Sequence, residues 1–498
     1  MSVVATAPTG LSKTLLLKGM QCPKALWLSK NPPDFEFPPQ PDLEAKYAAG
    51  TEVGILAQQL FPGGVEVPYE GLSVAEQVAK TRELIDAGET VIYEASFAYN
   101  GIFVKVDILV RDDIGGVSGA CWKVYEVKMG TSVKPINYND VAIQGYVLEH
   151  CGLSICGNYL VHIDNSYVRQ GEINVHGLFV AEDVRLEALE GQTRLPHLVK
   201  SLLEVLEEGE PDVDIGTHCS NPYDCDFIPY CWRHIPDNSV FDLRGSGVDK
   251  FAFYRRGQIT FDQLPVNELN LRQRQQVEAT LNQQDVINHE GVRTFLKTLW
   301  YPMAHLDFES FSSPIPKFDG TRPYQQVPFQ YSLHLQDEPG GEARHSEFLA
   351  EPNVDPRRAL AEKLIADLPP EACILTYNQA FEKGVLRELA AQFPDLAAEI
   401  ETRLENVRDL MVPFRRRDVY KWKMRGSYSI KEVLPAMVPE LGYTGMEIAD
   451  GHSAMQAYHT MCALEPGEEL DKLRIALLEY CKLDTWAMVK ILEELEKL

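Results

Sequence analysis

Between Val91 and Lys128 apolar and polar positions alternate with a period of two, the pattern of strands half-buried in a sheet. "VIYEASFAYNG" reads as a strand closed by the turn signal Asn100-Gly101, "IFVKVDILV" as a second strand, "RDDIGGVSGA" as a loop and "CWKVYEVKMG" as a third strand. In "NYNDVAIQGYVLEHCG" the period lengthens to that of a helix. Beyond residue 235, "HIPDNSVFDLRGSGVDKF" has the polar, proline- and glycine-punctuated character of a connection, and "LNLRQRQQVEATLNQQ" that of a surface helix. A new apolar strand, "WYPMAHLDFES", follows. Then "ACILTYNQAFEKGVLRELA" runs from strand into helix, and "LRIALLEYCKLDTWAMVKILEEL" is a long helix. These elements predict an α/β protein with a front domain over residues 1–235, a helical connector over 236–298 and a back domain over 299–498.

Composition adds limits. The 498 residues are 45% hydrophobic and 24% charged, ordinary values for a globular chain. No apolar run reaches the ~18–20 residues that span a bilayer, and "MSVVATAPTGLSKTLLLKG" lacks the basic region and long apolar stretch of a signal peptide. The expected location is the cytoplasm. Ten cysteines in a reducing compartment are expected to serve as ligands and buried thiols rather than disulfides. A net charge of −26 argues against a protein that coats nucleic acid nonspecifically, yet suits one that gathers carboxylates around divalent cations. One basic strip stands out, "RRRDVYKWKMR". It reads either as a solvated helix face or as a phosphate- and base-contacting surface carried by Arg415, Arg416, Arg417, Lys421, Trp422 and Lys423.

The candidate chemistry begins on the predicted strands. Asp107 lies on the second and Glu126 and Lys128 on the third, where residues two apart share a face. Two carboxylates and an ammonium so placed suit metal-assisted phosphodiester hydrolysis: the acids hold Mg²⁺ or Mn²⁺, and the lysine orients water or offsets developing charge. The following helix carries Gln144 and Tyr146. "GTHCSNPYDCDFIPYCW" adds Cys219, Cys225 and Cys231 at intervals of six, idle thiols or three ligands in want of a fourth.

Asp107, Glu126-x-Lys128 and a helix bearing Gln144 resemble the PD-(D/E)XK nucleases of the RecB type, with their restriction-endonuclease-like fold. In the iron–sulphur branch, which includes CRISPR-associated RecB-like and AddB-type enzymes, one cysteine precedes the nuclease core and three follow it. The resemblance implies that Cys22 of "GMQCPKALWL" joins the trio to hold a 4Fe–4S cluster as a structural staple. Zinc is the alternative for four thiolates. The C-x5-C-x5-C spacing departs from the C-x2-C-x5-C of better-known relatives, and Gln144-Gly145-Tyr146 from their Q-x3-Y.

In the back domain "MAHLDFES" puts Asp307 and Glu309 on one face of a strand, Asn378 and Glu382 stand at a strand-to-helix junction, "RDLMVPF" adds Asp409, and Tyr480 and Asp484 lie four apart on the last helix. This order resembles the DEDD exonucleases of the ribonuclease-H-like fold, in their tyrosine subtype. The resemblance implies that Asp307, Glu309 and Asp484, with Glu382 where aspartate is usual, hold two metal ions, and that Tyr480 positions the attacking water. "GSYSIKEVLPAMVP" resembles the substrate-side segment before the last helix of such enzymes. The combined expectation is a metal-dependent nuclease with two active sites. It would act on DNA, single-stranded or with free ends, with RNA as a further substrate class, in repair, recombination or defence. The alternative is a nucleic-acid-binding protein whose back fold has lost catalysis.

Overall fold

A computed structural model describes residues 10–38, 41–112 and 121–498. The loop expected at "RDDIGGVSGA" falls largely outside them. The fold is mixed α/β, in two compact units: Met1–His234 with Ser313–Tyr324, and Ile235–Ser312 with Gln325–Leu498.

The first unit is built on a seven-stranded sheet: β1 (Leu11–Ser12), β2 (Val65–Glu66), β3 (Val91–Tyr99), β4 (Ile102–Asp112), β5 (Cys121–Val127), β6 (Ile155–Ile163) and β7 (Phe179–Asp183). The order is β2-β3-β4-β5-β6-β7, with β1 beside β4. The β3–β4 and β4–β5 pairs are antiparallel and β5–β6 is parallel. The helix Asn137–His150 supplies the β5–β6 crossover that a parallel pair requires. Helix Val74–Ala87 precedes β3, held by a Ser73–Glu76 capping box and ended by Gly88 at φ 91°. One sheet face packs Val104, Val106 and Val124 against Leu16, Leu26, Ile143 and Val147. Ile108, Val161 and Ile163 pack with Val53, Ala57 and Ile315 in a second cluster.

Cys121 and Cys156 form a disulfide, which corrects the expectation that the cysteines are all thiols. They begin neighbouring parallel strands, where Trp122 faces Ile155, and their Cα atoms are 5.7 Å apart. That adjacency arises from strands 35 residues apart in sequence, so spacing gave no sign of it.

In the second unit β8 (Val286–Ile287) is followed by β9 (Met303–Phe311), β10 (Val327–Gln336), β11 (Arg344–Leu349), β12 (Cys373–Thr376), β13 (Val407–Asp409) and β14 (Val419–Tyr420). The main sheet has the order β11-β10-β9-β12-β13. Its first three strands are antiparallel neighbours; β12 and β13 run parallel to β9. Leu360, Leu364, Val385 and Leu389 of two helices pack on Leu306, Leu333 and Ile374. The helix Glu468–Glu496 packs on β9 and β10. Residues 235–298 have a small core of their own, Val240, Phe253, Phe261 and Val277. They are tied to the rest of this unit by the β8–β14 pair and by Asn288, whose amide donates to Asp418 at 2.9 Å.

Candidate active sites

In the first unit the β4–β5 ladder stops at Ile108 opposite Tyr125. Beyond it the Val127 N–H turns to the Asp107 carboxylate, 2.6 Å away. This parting places Asp107 and Glu126 side by side. Glu126 Oε1 accepts from Lys128 at 2.8 Å and from Lys13 at 2.6 Å, and its Oε2 accepts from Gln144 at 2.5 Å. Burial works against the Glu126 charge, but Lys128 and Lys13 prevail and hold its pKa down at about 2. Asp107 goes the other way, to about 8, through burial first and then the Glu126 charge. Two carboxylates split in this manner commonly mark a functional site.

The sequence named Asp107, Glu126, Lys128 and Gln144, and the structure brings all four together. It adds three residues. Lys13 comes from the helix Lys13–Gln21; Asp140 accepts from Lys128 at 2.9 Å; Glu94 lies across from Asp107 on β3. Glu94 has φ 55°, an uncommon conformation for a residue with a Cβ, and its pKa is raised by burial. No local spacing announces these residues. Tyr146 does not join the site. Two helical positions from Gln144, it faces another way and packs with Tyr99 and His150.

The four cysteines expected as ligands, Cys22, Cys219, Cys225 and Cys231, also converge. Cys22 caps the junction of helices Lys13–Gln21 and Pro23–Lys30, and with Cys219, Cys225, Cys231 and His218 it lines one small cavity. Burial raises the Cys225 thiol to about 11, with Cys22 and Cys219 adding to the effect. The Gly216 N–H points at Cys219 Sγ, 3.5 Å away. Cysteines gathered around one cavity, with a backbone N–H aimed at one of them, fit a site whose ligands lose protons on binding a cation.

In the second unit Asp307 and Glu309 project from β9. A β-bulge on β10, between Pro328 and Gln330, lies opposite Glu309 and re-aims the strand. Glu382 enters from the first turn of helix Gln379–Gln392, and Asp484 and Tyr480 enter from Glu468–Glu496. Glu309, Glu382 and Asp484 are buried. Asp307 and Glu309 are pushed well above the carboxylate range by burial and then by Asp484. Glu382 is raised to about 8 by burial and Asp409, and its Oε2 has no partner. Asp484 reaches only about 6: burial raises it, while the hydroxyls of Tyr443 and Tyr480 and the charge of Lys431 oppose the rise. Tyr443 donates to Asp484 Oδ1 at 2.5 Å and was not singled out by sequence.

Such a group fits hard divalent cations, which take oxygen ligands. Donor atoms of Asp307, Glu309 and Cys481 lie within 4.8 Å of one another. Burial and the neighbouring acids keep the Cys481 thiol protonated, so the carboxylates are the better ligands. Asp409 accepts from the N–H groups of Asn378 and Met411, bracing the start of the Glu382 helix.

The family described as a domain of unknown function, DUF2779, matches residues 304–429. That stretch contains Asp307, Glu309, Glu382 and Asp409, and stops before Tyr480 and Asp484. An uncharacterized protein of Ureaplasma parvum serovar 3, UU173, is 26% identical over 245 residues, 44% of this chain. The match spans 34% of that relative, about a third of its length.

The basic strip is broken into three short pieces: the helix Val412–Arg415, β14 and the turn Trp422–Met424. Tyr420 is buried rather than interleaved among exposed cations. Arg416 pairs with Asp418 at 3.3 Å and Lys421 with Asp285 at 3.6 Å, while Lys423 lies over the Trp422 ring. Arg415 and Arg417 face a cavity. Among the described residues no helix is long and apolar enough to cross a membrane.

Proposed function

We propose that the protein is a metal-dependent nuclease with one active site in each unit, acting on DNA that is single-stranded or has free ends, with RNA as a further substrate class. The observation that carries this reading is the gathering of Asp307, Glu309, Glu382 and Asp484 in one buried space, where Asp307 and Glu309 are strongly disfavoured as anions. Cations are the natural counterpart of such a set. The sheet order of the second unit, with two strands parallel to a central β9, supports a ribonuclease-H-like fold. The β3-β4-β5 meander followed by a helix and a parallel β6 supports a PD-(D/E)XK core.

Mg²⁺ or Mn²⁺ held by these carboxylates supplies Lewis acidity toward the phosphate and a nucleophilic water. In the first unit Asp107 and Glu126 are the ligands, Gln144 fixes the Glu126 carboxylate, and Lys128 orients water and offsets charge. In the second, Tyr443 and Tyr480 hold Asp484 in place, and the exonuclease resemblance gives Tyr480 the positioning of the attacking water. For the cysteines a 4Fe–4S cluster, which the RecB-type resemblance implies, is put ahead of zinc, the alternative for four thiolates.

The test is cleavage of end-labelled single- and double-stranded DNA and RNA with Mn²⁺. Cleavage is expected to stop with chelator and in the double variant Lys128→Ala, Asp307→Ala; cleavage that survives both treatments sinks the reading. A binding-only second unit is the outcome if Lys128→Ala alone removes all activity.

A further inference from the structure

Within the second unit a cavity of about 960 Å³ opens between residues 244–272 and the segments 377–378 and 411–430. Arg244 and Arg272 reach it from the stretch expected to be a mere connector, and Arg415 and Arg417 from the basic strip. In a chain of net charge −26, four guanidinium groups on one concavity are a local reversal of sign. Arg417 is held by the Arg272 carbonyl at 2.7 Å and Arg415 by Asp409 at 3.5 Å. Among the described residues the exposed side chains of Arg244 and Arg272 carry no ion pair, so two cations remain for a ligand.

Tyr377 and Tyr428 add aromatic faces, tied together by the bond from the Tyr377 hydroxyl to the Tyr428 carbonyl at 2.8 Å. The cavity also adjoins the carboxylates. Asn378 in its wall donates to Asp409 and stands one turn before Glu382, and Ile430 precedes Lys431, whose charge acts on Glu309 and Asp484.

Guanidinium groups bind phosphodiesters through paired N–H donors, and tyrosine rings accept stacked bases. The volume lies near the top of the ~300–1,000 Å³ range of ligand-binding clefts, which suits a few nucleotides of flexible strand, whereas a double helix is gripped from outside. We propose that residues 235–298 are a substrate-binding element: with Arg415, Arg417, Tyr377 and Tyr428, Arg244 and Arg272 hold the sugar–phosphate backbone of a single-stranded nucleic acid and lead it to Asp307, Glu309, Glu382 and Asp484. The final step of that path rests on the nuclease reading; the binding does not.

The seam is tight. A Cβ on Gly426, at φ 78°, would lie 2.5 Å from Gln276, whose amide donates to the Arg425 carbonyl at 3.3 Å.

The experiment uses the full chain and a fluorescein-labelled oligothymidylate, read by anisotropy over a range of salt. Arg244→Ala with Arg272→Ala, both exposed positions, is expected to leave the melting temperature unchanged and weaken binding at least about tenfold at low salt. The slope of log K against log salt should fall by about 1.4, since each phosphate contact on a single strand contributes ~0.7. Ultraviolet cross-linking of the bound strand should map to the peptide containing Tyr428 in the parent and be lost in the variant. Gly426→Ala, which keeps every arginine, should lose the same cross-link by disturbing the seam. Unchanged affinity and slope overturn the proposal, as do equal binding of a duplex or equally strong binding of thymidine monophosphate. Cleavage is scored separately in the parent. Arginine-dependent binding without cleavage sinks the nuclease reading alone, and cleavage with arginine-independent binding sinks this inference alone.

Discussion

Glu382 is one methylene longer than the aspartate that the exonuclease resemblance leads one to expect, and its carboxylate is buried with Oε2 unpartnered. Its raised pKa makes a stability prediction. A carboxyl whose folded pKa is about 8, against ~4.3 unfolded, stabilises the fold fully below about pH 4, and that contribution is lost as pH rises through 8. Glu382→Gln removes the charge, so the metal-free variant should melt a few degrees above the parent at pH 8.5 and with it at pH 4. Mn²⁺ should raise the parent's melting temperature at pH 8.5 more than the variant's; identical melting of the two proteins at both pH values contradicts the assignment. Glu126 has the opposite sign. Its folded pKa of about 2 gives stability that is present above ~4.3 and lost as pH falls toward 2. Removing one of its two ammonium partners by Lys13→Ala should raise that pKa. The acid limb of front-site cleavage, measured in an Asp307→Ala background, should then move to higher pH. An unmoved limb would show that Lys13 does not set the Glu126 charge.

At the scale of elements, the helix Lys13–Gln21 links two features that the sequence treated separately. Its first residue pairs with Glu126 and it ends at Cys22, while Gln21 donates to the carbonyls of His218 and Tyr223, both at 2.7 Å, within the cysteine segment. Lys18 adds a pair with Asp226 at 2.7 Å. Loss of the Cys22 thiol is therefore expected to loosen the element that carries Lys13. Cys22→Ser is expected to lower the melting transition of the first unit, bleach any absorbance near 400 nm and reduce front-site cleavage, leaving the second unit's transition in place. Calorimetry with separate activity assays checks it; full front-site activity in a bleached protein would make the staple irrelevant to the site. At the helix start the Ser12 hydroxyl accepts from the Leu15 N–H at 3.2 Å, and Ser12→Ala should cost about 1 kcal/mol in the first unit, read as a lower midpoint in urea.

For the whole molecule, the two carboxylate sets belong to different compact units and share no residue. Losses at Lys128 and Asp307 should therefore combine without coupling. Each single variant should leave a distinct product pattern, and the double variant should cut nothing yet still bind single-stranded DNA. Loss of all cleavage in each of the two single variants, Lys128→Ala and Asp307→Ala alike, would mean that the sites act in sequence on one substrate.

Residue order alone was enough to read β3, β4, β5, β9 and β12, the helices Asn137–His150, Gln379–Gln392 and Glu468–Glu496, and the residues whose chemistry is local to one element. Glu126 and Lys128 share a strand face, Asp307 and Glu309 share another, and Tyr480 and Asp484 share a helix face, because periods of two and 3.6 are written in residue order. Tertiary structure decided everything that depends on which elements become neighbours. Lys13 meets Glu126 across 113 positions, Cys121 meets Cys156 through strand pairing, and Tyr443 reaches Asp484 from another segment. The strip from Arg415 to Arg425 looked continuous in sequence, yet the β8–β14 pair buries Tyr420 and leaves Arg415 and Arg417 beside two arginines from residues 235–298. Local pattern encodes the face a side chain takes on its own element. Its partner across a sheet or cavity is fixed only when the core packs.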